Sequence, residues 1–297
     1  MPPDEGFIEA NGLRLHYLMW YPGSEGHLGF PPLLMLHANG FLARLWQPVA
    51  ERLASRYHVY AYDVRGHGDS DKPPPADADN YHWRHLVADL RAFMDAFALR
   101  DIPVVAHSSG GATAAYLAGT QPGYFSRLVL IEPIIMPPQF RPLAAPRDAM
   151  AQAARRRRQV WPGPGEMIES YRKRPTFERW TEECLRLYAE HGTFPREGAD
   201  GHGGQVQLKC SGEVEARMFE NSVSLDVWEV LPDITCPAIV IRGEHTDAFL
   251  GSIVDAVAGE IPDARALAIP GADHLAPMEQ PEALAKEVLA FLDGGRP

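Results

Sequence analysis

The sequence predicts an α/β fold: a mostly parallel, doubly wound sheet of about eight strands, interrupted after the sixth strand by a helical cap. Three observations predict it. Short, continuous apolar runs such as Leu33-Leu34-Met35-Leu36 and Ala238-Ile239-Val240-Ile241 mark strands covered on both faces. These runs alternate with segments of helical period, the order that lays helices over both faces of a parallel sheet. The alternation stops at Glu132-Pro133 and resumes near residue 233, so 134–232 reads as the inserted cap and 1–133 with 233–297 as the core.

In chain order, the run from Phe7 to Trp20 alternates around Asn11-Gly12, a two-residue turn signal, and reads as a hairpin. After a loop rich in Pro and Gly (22–32), the strand 33–36 runs into His37-Ala38-Asn39-Gly40-Phe41. A helix over 43–53 follows, then the strand 58–62 and the loop Asp63-Val64-Arg65-Gly66-His67-Gly68-Asp69-Ser70. Leu86, Leu90, Phe93, Met94 and Phe97 recur at helical spacing and bury one stripe of a long helix. The runs 102–106 and 127–131 are the next buried strands. Within the insertion, strand signals nearly vanish and amphipathic helices are expected at 147–160, 176–190 and 213–221. Beyond it come the strand 238–241, a helix over 249–261, the strand 264–269 and a closing helix over 282–292.

Composition removes several function classes. The balance of 28 basic against 39 acidic residues gives a net charge of -11, which repels a phosphate backbone, so no nucleic-acid partner is expected. No apolar run approaches the roughly 20 residues that span a bilayer. The start Met1-Pro2-Pro3-Asp4-Glu5 lacks the order of a signal peptide, so a soluble, cytoplasmic chain with no membrane span is expected. Cys184, Cys210 and Cys236 are odd in number and widely spaced, which suggests neither a disulfide framework nor a zinc site. There is no glycine-rich phosphate loop and no metal-ligand cluster; no cofactor and no metal are expected.

The chemistry concentrates in Val104-Val105-Ala106-His107-Ser108-Ser109-Gly110-Gly111, a strand that passes without a spacer into the small-residue helix beginning at Ala112. Such a turn strains its central residue and pushes the side chain out, the physics of a nucleophile elbow. Small residues on either side, Ala106 and Gly110, let strand and helix close around it. Ser108 is the candidate nucleophile. A serine hydroxyl needs a base within hydrogen-bond reach, itself oriented by a third group. His274, in Pro270-Gly271-Ala272-Asp273-His274-Leu275 directly beyond the last strand, is placed to be that base. Two backbone N–H groups should hold the developing oxyanion: Ser109, after the nucleophile, and Asn39 in the loop after the strand 33–36, with Gly40 as its alternative. His37 then holds that loop in shape.

These segments, in this order, resemble the α/β-hydrolase superfamily, of the kind with a helical cap. The resemblance runs from the hairpin at Phe7 through Ala106-His107-Ser108-Ser109-Gly110-Gly111 to Gly271-Ala272-Asp273-His274. It implies that 63–70 shapes the wall of the site. Two positions depart from the family pattern: Ala106 replaces the usual first glycine of the elbow, and Ala38 the glycine that commonly follows the oxyanion-loop histidine. The family usually carries its acid after the seventh strand, where this chain has Thr246 at the expected place and Asp247 one later. A less common location is the end of the sixth strand, where this chain has Glu132. Asp247 also fits as a helix cap, and Glu132 as a hinge at the cap entrance. Glu132 is favoured, and one of the two, not both, should pair with His274.

The resemblance implies a serine hydrolase acting on a small-molecule carboxylic ester or lactone. Its rivals are a carbon-carbon bond hydrolase of a ketone-bearing acid and a non-catalytic receptor on the same fold. A serine at the elbow argues against dehalogenase and epoxide-hydrolase chemistry, which in this superfamily use an aspartate there. Arg155-Arg156-Arg157-Arg158 fans around most of a helical turn and reads as a solvated face rather than an anchor for a substrate carboxylate. Trp161, Trp180, Tyr188 and Trp228 fit equally as pocket lining or as the cap's own core. His82, His85 and His202 carry no assigned role.

Overall fold

Six strands of the central sheet run parallel because each returns through a helix, whereas the first two close directly as a hairpin. The computed structural model describes residues 2–21, 29–143, 146–197 and 203–294. Strand β1 (Asp4–Ala10) pairs antiparallel with β2 (Leu13–Trp20). Asn11 and Gly12 between them both hold positive φ, 50° and 74°, as a two-residue hairpin turn of the right twist demands. Strand β3 (Pro32–Leu36) leads through a 3-10 turn (Ala43–Trp46) to helix α1 (Gln47–Leu53). Then come β4 (His58–Tyr62), α2 (Trp83–Ala96), β5 (Ile102–His107), α3 (Ser109–Thr120) and β6 (Phe125–Ile131).

The chain then leaves the sheet. It forms α4 (Pro146–Arg156), β7 (Val160–Trp161), α5 (Pro164–Arg172), α6 (Glu182–His191), β8 (Thr193–Glu197), β9 (Gly203–Leu208) and α7 (Gly212–Glu220). It returns with β10 (Ala238–Gly243), α8 (Ala248–Glu260), β11 (Ala264–Ile269), the short α9 (Ala276–Glu279) and α10 (Pro281–Leu292).

The eight-stranded sheet has the order β1-β2-β4-β3-β5-β6-β10-β11. From β3 the chain moves outward to β4, and then crosses to the other side of β3 to make β5. That reversal opens a crevice outside the carboxyl ends of β3 and β5, where ligands bind in open α/β sheets. The continuous apolar runs follow from burial on both faces: Leu34, Leu36 and Val104 join the core layer under α2 and α3, while Leu33, Met35 and Val105 join the layer under α1 and α10. Each such side chain contributes about 1.5–3 kcal/mol by leaving water. Among the described residues no helix is long and apolar enough to cross a membrane.

The insertion differs from expectation in three ways. It is not purely helical: β7, β9 and β8 form an antiparallel three-stranded sheet. The signal was present but short, in the alternation of half-buried Gln205 and Gln207 with buried Val206 and Leu208. The helix expected over 147–160 stops at Arg156, and the one expected over 176–190 starts at Glu182, behind Thr181, whose hydroxyl accepts the Cys184 N–H. Helix α5 was not anticipated; Pro164, which starts it, fits a first helical position whose N–H needs no partner. The Pro/Gly-rich loop lies largely outside the described residues, as does His202.

One apolar cluster ties the insertion to the sheet. It joins Trp161, Trp180 and Tyr188 to Leu42 and Leu45 beside the loop after β3, and to Leu275 and Met278 beside the loop after β11. Those three aromatics are 5% exposed or less, so they are core between the insertion and the loops after β3 and β11, while Trp228 packs half-buried against the main core. Cys184 and Cys210 are buried, Cys236 is half-buried, and all three are free thiols.

Candidate active site

The turn after β5 is as tight as the sequence requires. Ser108 has φ 55° and ψ -114°, a strained backbone held between β5 and the first turn of α3. Its N–H donates to Ile131 O at 2.9 Å, fixing it to the end of β6. Gly110 is where the helix comes closest to the loop after β3: a Cβ there would stand 2.9 Å from His37 O, Leu36 O and Leu36 Cβ. The two alanines at family glycine positions, Ala38 and Ala106, are buried without disturbing this contact.

The candidate oxyanion donors meet at this point. Ser109 is the first residue of α3, so its N–H has no acceptor within the helix. The Asn39 N–H faces the elbow and donates to Ser109 Oγ at 3.0 Å. The Gly40 N–H is turned away, donating to His67 Nε2 at 2.9 Å. Of the two alternatives after β3, Asn39 therefore offers the N–H directed at the first residue of α3, next to the nucleophile.

Histidines that the sequence left without chemistry hold these loops. His37 Nδ1 donates to Ala38 O at 2.8 Å and its Nε2 accepts the Val64 N–H at 2.9 Å, bracing the loop after β3 against the loop after β4. His67 Nδ1 donates to Arg65 O at 2.9 Å, leaving Nε2 free to accept from Gly40. Burial pushes the His67 ring down to about 3 and also lowers His37, so both are neutral acceptors. The 63–70 loop, expected to form a wall, is anchored from within. Asp63 accepts from His16 Nδ1 (2.8 Å), Ala43 N (2.7 Å) and Asp69 N (2.9 Å), and Arg65 forms a buried pair with Asp89. His16, Asp63 and Asp69 bring potential ligand atoms within 4.8 Å of one another. The Asp63 oxygens are already taken by these donors, so the cluster reads as loop scaffold.

Glu132 and His274 come together across the sheet. The end of β6 lies between those of β5 and β10, and Glu132, with φ 46°, turns its carboxylate inward where it is 2% exposed. Oε1 accepts the Gly243 N–H at 2.8 Å and the Thr246 hydroxyl; Oε2 lies 3.4 Å from His274 Nδ1. A long bond of this kind is usual before substrate binds. Burial alone would raise the Glu132 carboxyl, but these donors outweigh it and hold it below the ordinary value. Asp247 does not join them: exposed, it caps α8 by accepting the Phe249 N–H at 2.9 Å and the Leu250 N–H at 3.4 Å.

The loop carrying His274 is held by groups that sequence reasoning missed. His107, next to the nucleophile, donates Nε2–H to His274 O at 2.9 Å, and burial pushes its ring down to about 3. Glu279 accepts the Asp273 N–H at 2.5 Å, and Asp273 in turn accepts the His274 N–H at 2.7 Å. Gly243 lets this loop pass over β10, since a Cβ there would stand 2.5 Å from both Ala272 O and Asp273 O. The signal for His107 was its position inside the elbow.

The four arginines separate. Arg155 pairs at the surface with Glu213 and Glu220, and Arg156 and Arg158 are exposed. Arg157 corrects the expectation of a solvated face. It follows the end of α4, turns inward beneath α7 and lies 3.0 Å from Glu215 Oε2, the two side chains 11% and 12% exposed. His82 caps α2, accepting the Arg84 N–H at 3.1 Å, and His85 lies 3.1 Å from Asp79 at the surface.

Comparison with known proteins agrees with the fold. N-formylmaleamate deformylase of Pseudomonas putida is 29% identical over 240 residues, 80% of this chain and 76% of that protein. The solved E-2-(acetamidomethylene)succinate hydrolase superposes with a TM-score of 0.80 at 21% identity, over 98% of this chain and 99% of that one. The enol-lactonase of Burkholderia xenovorans superposes with a TM-score of 0.72 at 24% identity, over 97% and 100%. A model of the alpha/beta hydrolase family matches residues 33–287, the stretch that holds the elbow, Glu132 and His274. The chain belongs to the alpha/beta hydrolase family.

Proposed function

We propose that the protein is a serine hydrolase that cleaves a small carboxylic ester or lactone through an acyl-enzyme on Ser108. The observation that carries this reading is the strained Ser108 at the start of α3, with the Asn39 N–H on its neighbour Ser109 and a buried Glu132 behind His274. Ser108 Oγ attacks the acyl carbon while His274 takes its proton; the N–H groups of Ser109 and Asn39 hold the oxyanion. His274 then gives that proton to the leaving alkoxide, and the acyl group stays on Ser108. Water, deprotonated by His274, attacks the acyl-enzyme and frees the acid. Glu132 fixes the imidazole with Nδ1–H toward itself, so that Nε2 is the proton acceptor. Residues 134–232 act as the cap that closes this site from water.

A panel of p-nitrophenyl esters of two to eight carbons, run beside a fluorophosphonate probe, tests it. The expected result is turnover on short chains and labelling of the native protein, both absent in Ser108→Ala. Absence of both in the native protein overturns the reading. A small N-acyl amide is the second substrate class, favoured by the deformylase relative that matches 80% of the chain.

A further inference from the structure

On the far side of the loop after β3 sits a buried cation with three of its five N–H groups unused. Arg157 gives Nη1 to the pairing with Glu215, but its Nε and Nη2 are buried with no hydrogen-bond partner among the described residues. A buried charged donor without an acceptor is costly, and a native structure that keeps one calls for an explanation. The unused atoms are not scattered. Nε and Nη2 share one edge of the planar guanidinium and send out two parallel N–H bonds, the spacing that one carboxylate matches with its two oxygens.

The place of the guanidinium is fixed on its Nη1 side. A Cβ on Gly40 would stand 3.7 Å from Arg157 Nη1 and 2.9 Å from Glu215 Oε1. Asn39 Nδ2 donates to Glu215 O at 3.1 Å, and the Tyr188 hydroxyl donates to Gly40 O at 3.0 Å. The guanidinium thus lies one residue from the candidate oxyanion donor Asn39, and consecutive Cα atoms are only about 3.8 Å apart. In the strand order, the loop after β3 and the loop carrying His274 flank the elbow from opposite sides. A leaving group protonated by His274 lies on the β11 side, so the acyl chain runs toward β3 and Arg157.

We propose that the Nε–Nη2 edge of Arg157 binds a carboxylate on the acyl half of the substrate, which makes short half-esters of dicarboxylic acids, or lactones bearing a free carboxylate, the preferred class. The proposal rests on Ser108 being the acyl-transfer nucleophile and names what that site selects. Glu215 approaches the guanidinium at Nη1, and its Oε2 is itself buried with no hydrogen-bond partner among the described residues. Burial also raises the Glu215 carboxyl above its ordinary value.

The test compares kcat/KM for monomethyl succinate and monomethyl glutarate with methyl butyrate and methyl valerate, in the native protein, R157Q and R157K. The native protein is expected to prefer the half-esters. R157Q should lose about 10- to 100-fold on them, the worth of a charge-assisted pair, and stay within about threefold on the neutral esters. R157K, a point charge without the fork, should fall between. An equal loss on both substrate types, or no preference in the native protein, overturns the proposal. A readout without turnover separates it from the reading of Ser108: glutarate titrated calorimetrically into S108A should bind, and into S108A/R157Q should not. Glutarate binding without ester turnover sinks the nucleophile and keeps the anchor; turnover without preference or binding does the reverse. Should R157Q not fold, R157K and the glutarate titration of S108A decide.

Discussion

Ser108 and Glu132 both hold positive φ, at the carboxyl ends of adjacent strands. Neither residue type favours that conformation, and each costs on the order of 1–3 kcal/mol that the surrounding hydrogen bonds must offset. At Ser108 the offset comes from the bond to Ile131 O and the start of α3; at Glu132 it comes from its own N–H, which donates to Ile241 O at 2.7 Å, and from Gly243 and Thr246. The choice between Glu132 and Asp247 as acid was open in the sequence because both follow a buried strand. What separates them is direction: one carboxylate turns into the sheet, the other onto the first turn of α8. Glu132→Gln should therefore lower kcat by roughly 10³- to 10⁴-fold, since a carboxamide can hold the imidazole in the wrong tautomer, whereas Asp247→Ala should leave kcat within about twofold. Steady-state kinetics on a p-nitrophenyl ester reads both, and the opposite ranking would make Asp247 the acid. Thr246→Val removes one of the donors that keep Glu132 ionised. Its carboxyl pKa should rise, read by carbon-13 NMR titration of the Glu132 carboxyl; an unmoved pKa would deny Thr246 that part.

At the scale of elements, what was legible had a local cause. The strand–turn–helix from β5 to α3 could be read because its small residues, Ala106 and Gly110, follow from how closely two backbones approach. The parallel strands could be read because burial on both faces leaves continuous apolar runs in them, such as Leu33–Leu36 and Ala238–Ile241. The sheet in the insertion escaped notice because β7 is two residues long and β8 contains Pro195; pairing that short is set by neighbours and not by propensity. The bracing of the site by His67, His107 and Glu279 was equally out of reach, since each acts on a residue placed by the fold. Helix α8 gives a clean measure of the local kind. Its cap at Asp247 accepts two first-turn N–H groups, so Asp247→Ala should cost about 1 kcal/mol of stability. Urea denaturation reads the loss; a midpoint unchanged beyond error means that the cap contributes nothing.

Across the whole molecule, the scaffold behind the site is built on histidines buried in the neutral form. Burial lowers His37, His67 and His107, the last two to about 3, whereas the unfolded chain titrates them near 6.5. Below about pH 6.5 the unfolded state therefore takes up protons that the folded state refuses. Stability from these groups is fully present above pH 6.5 and falls as pH drops, by about 1.4 kcal/mol per pH unit for each ring, until the folded pKa is reached. Two carboxylates act in the same direction but lower down. Asp63 and Glu132 are held below their ordinary values by donors, so their contribution is present above about pH 4.5 and is lost as pH falls through the folded pKa. Two rings alone would cost about 5 kcal/mol between pH 6.5 and 4.5, which is comparable with the whole stability of an ordinary domain. The urea midpoint should be flat from pH 7 to 9 and fall steeply below 6.5. His67→Gln, which keeps a hydrogen-bonding side chain but takes up no proton, should make that fall shallower by about one ring's share. A midpoint that holds level down to pH 5, or an unchanged slope in His67→Gln, would show that the buried rings keep partners able to accept the proton.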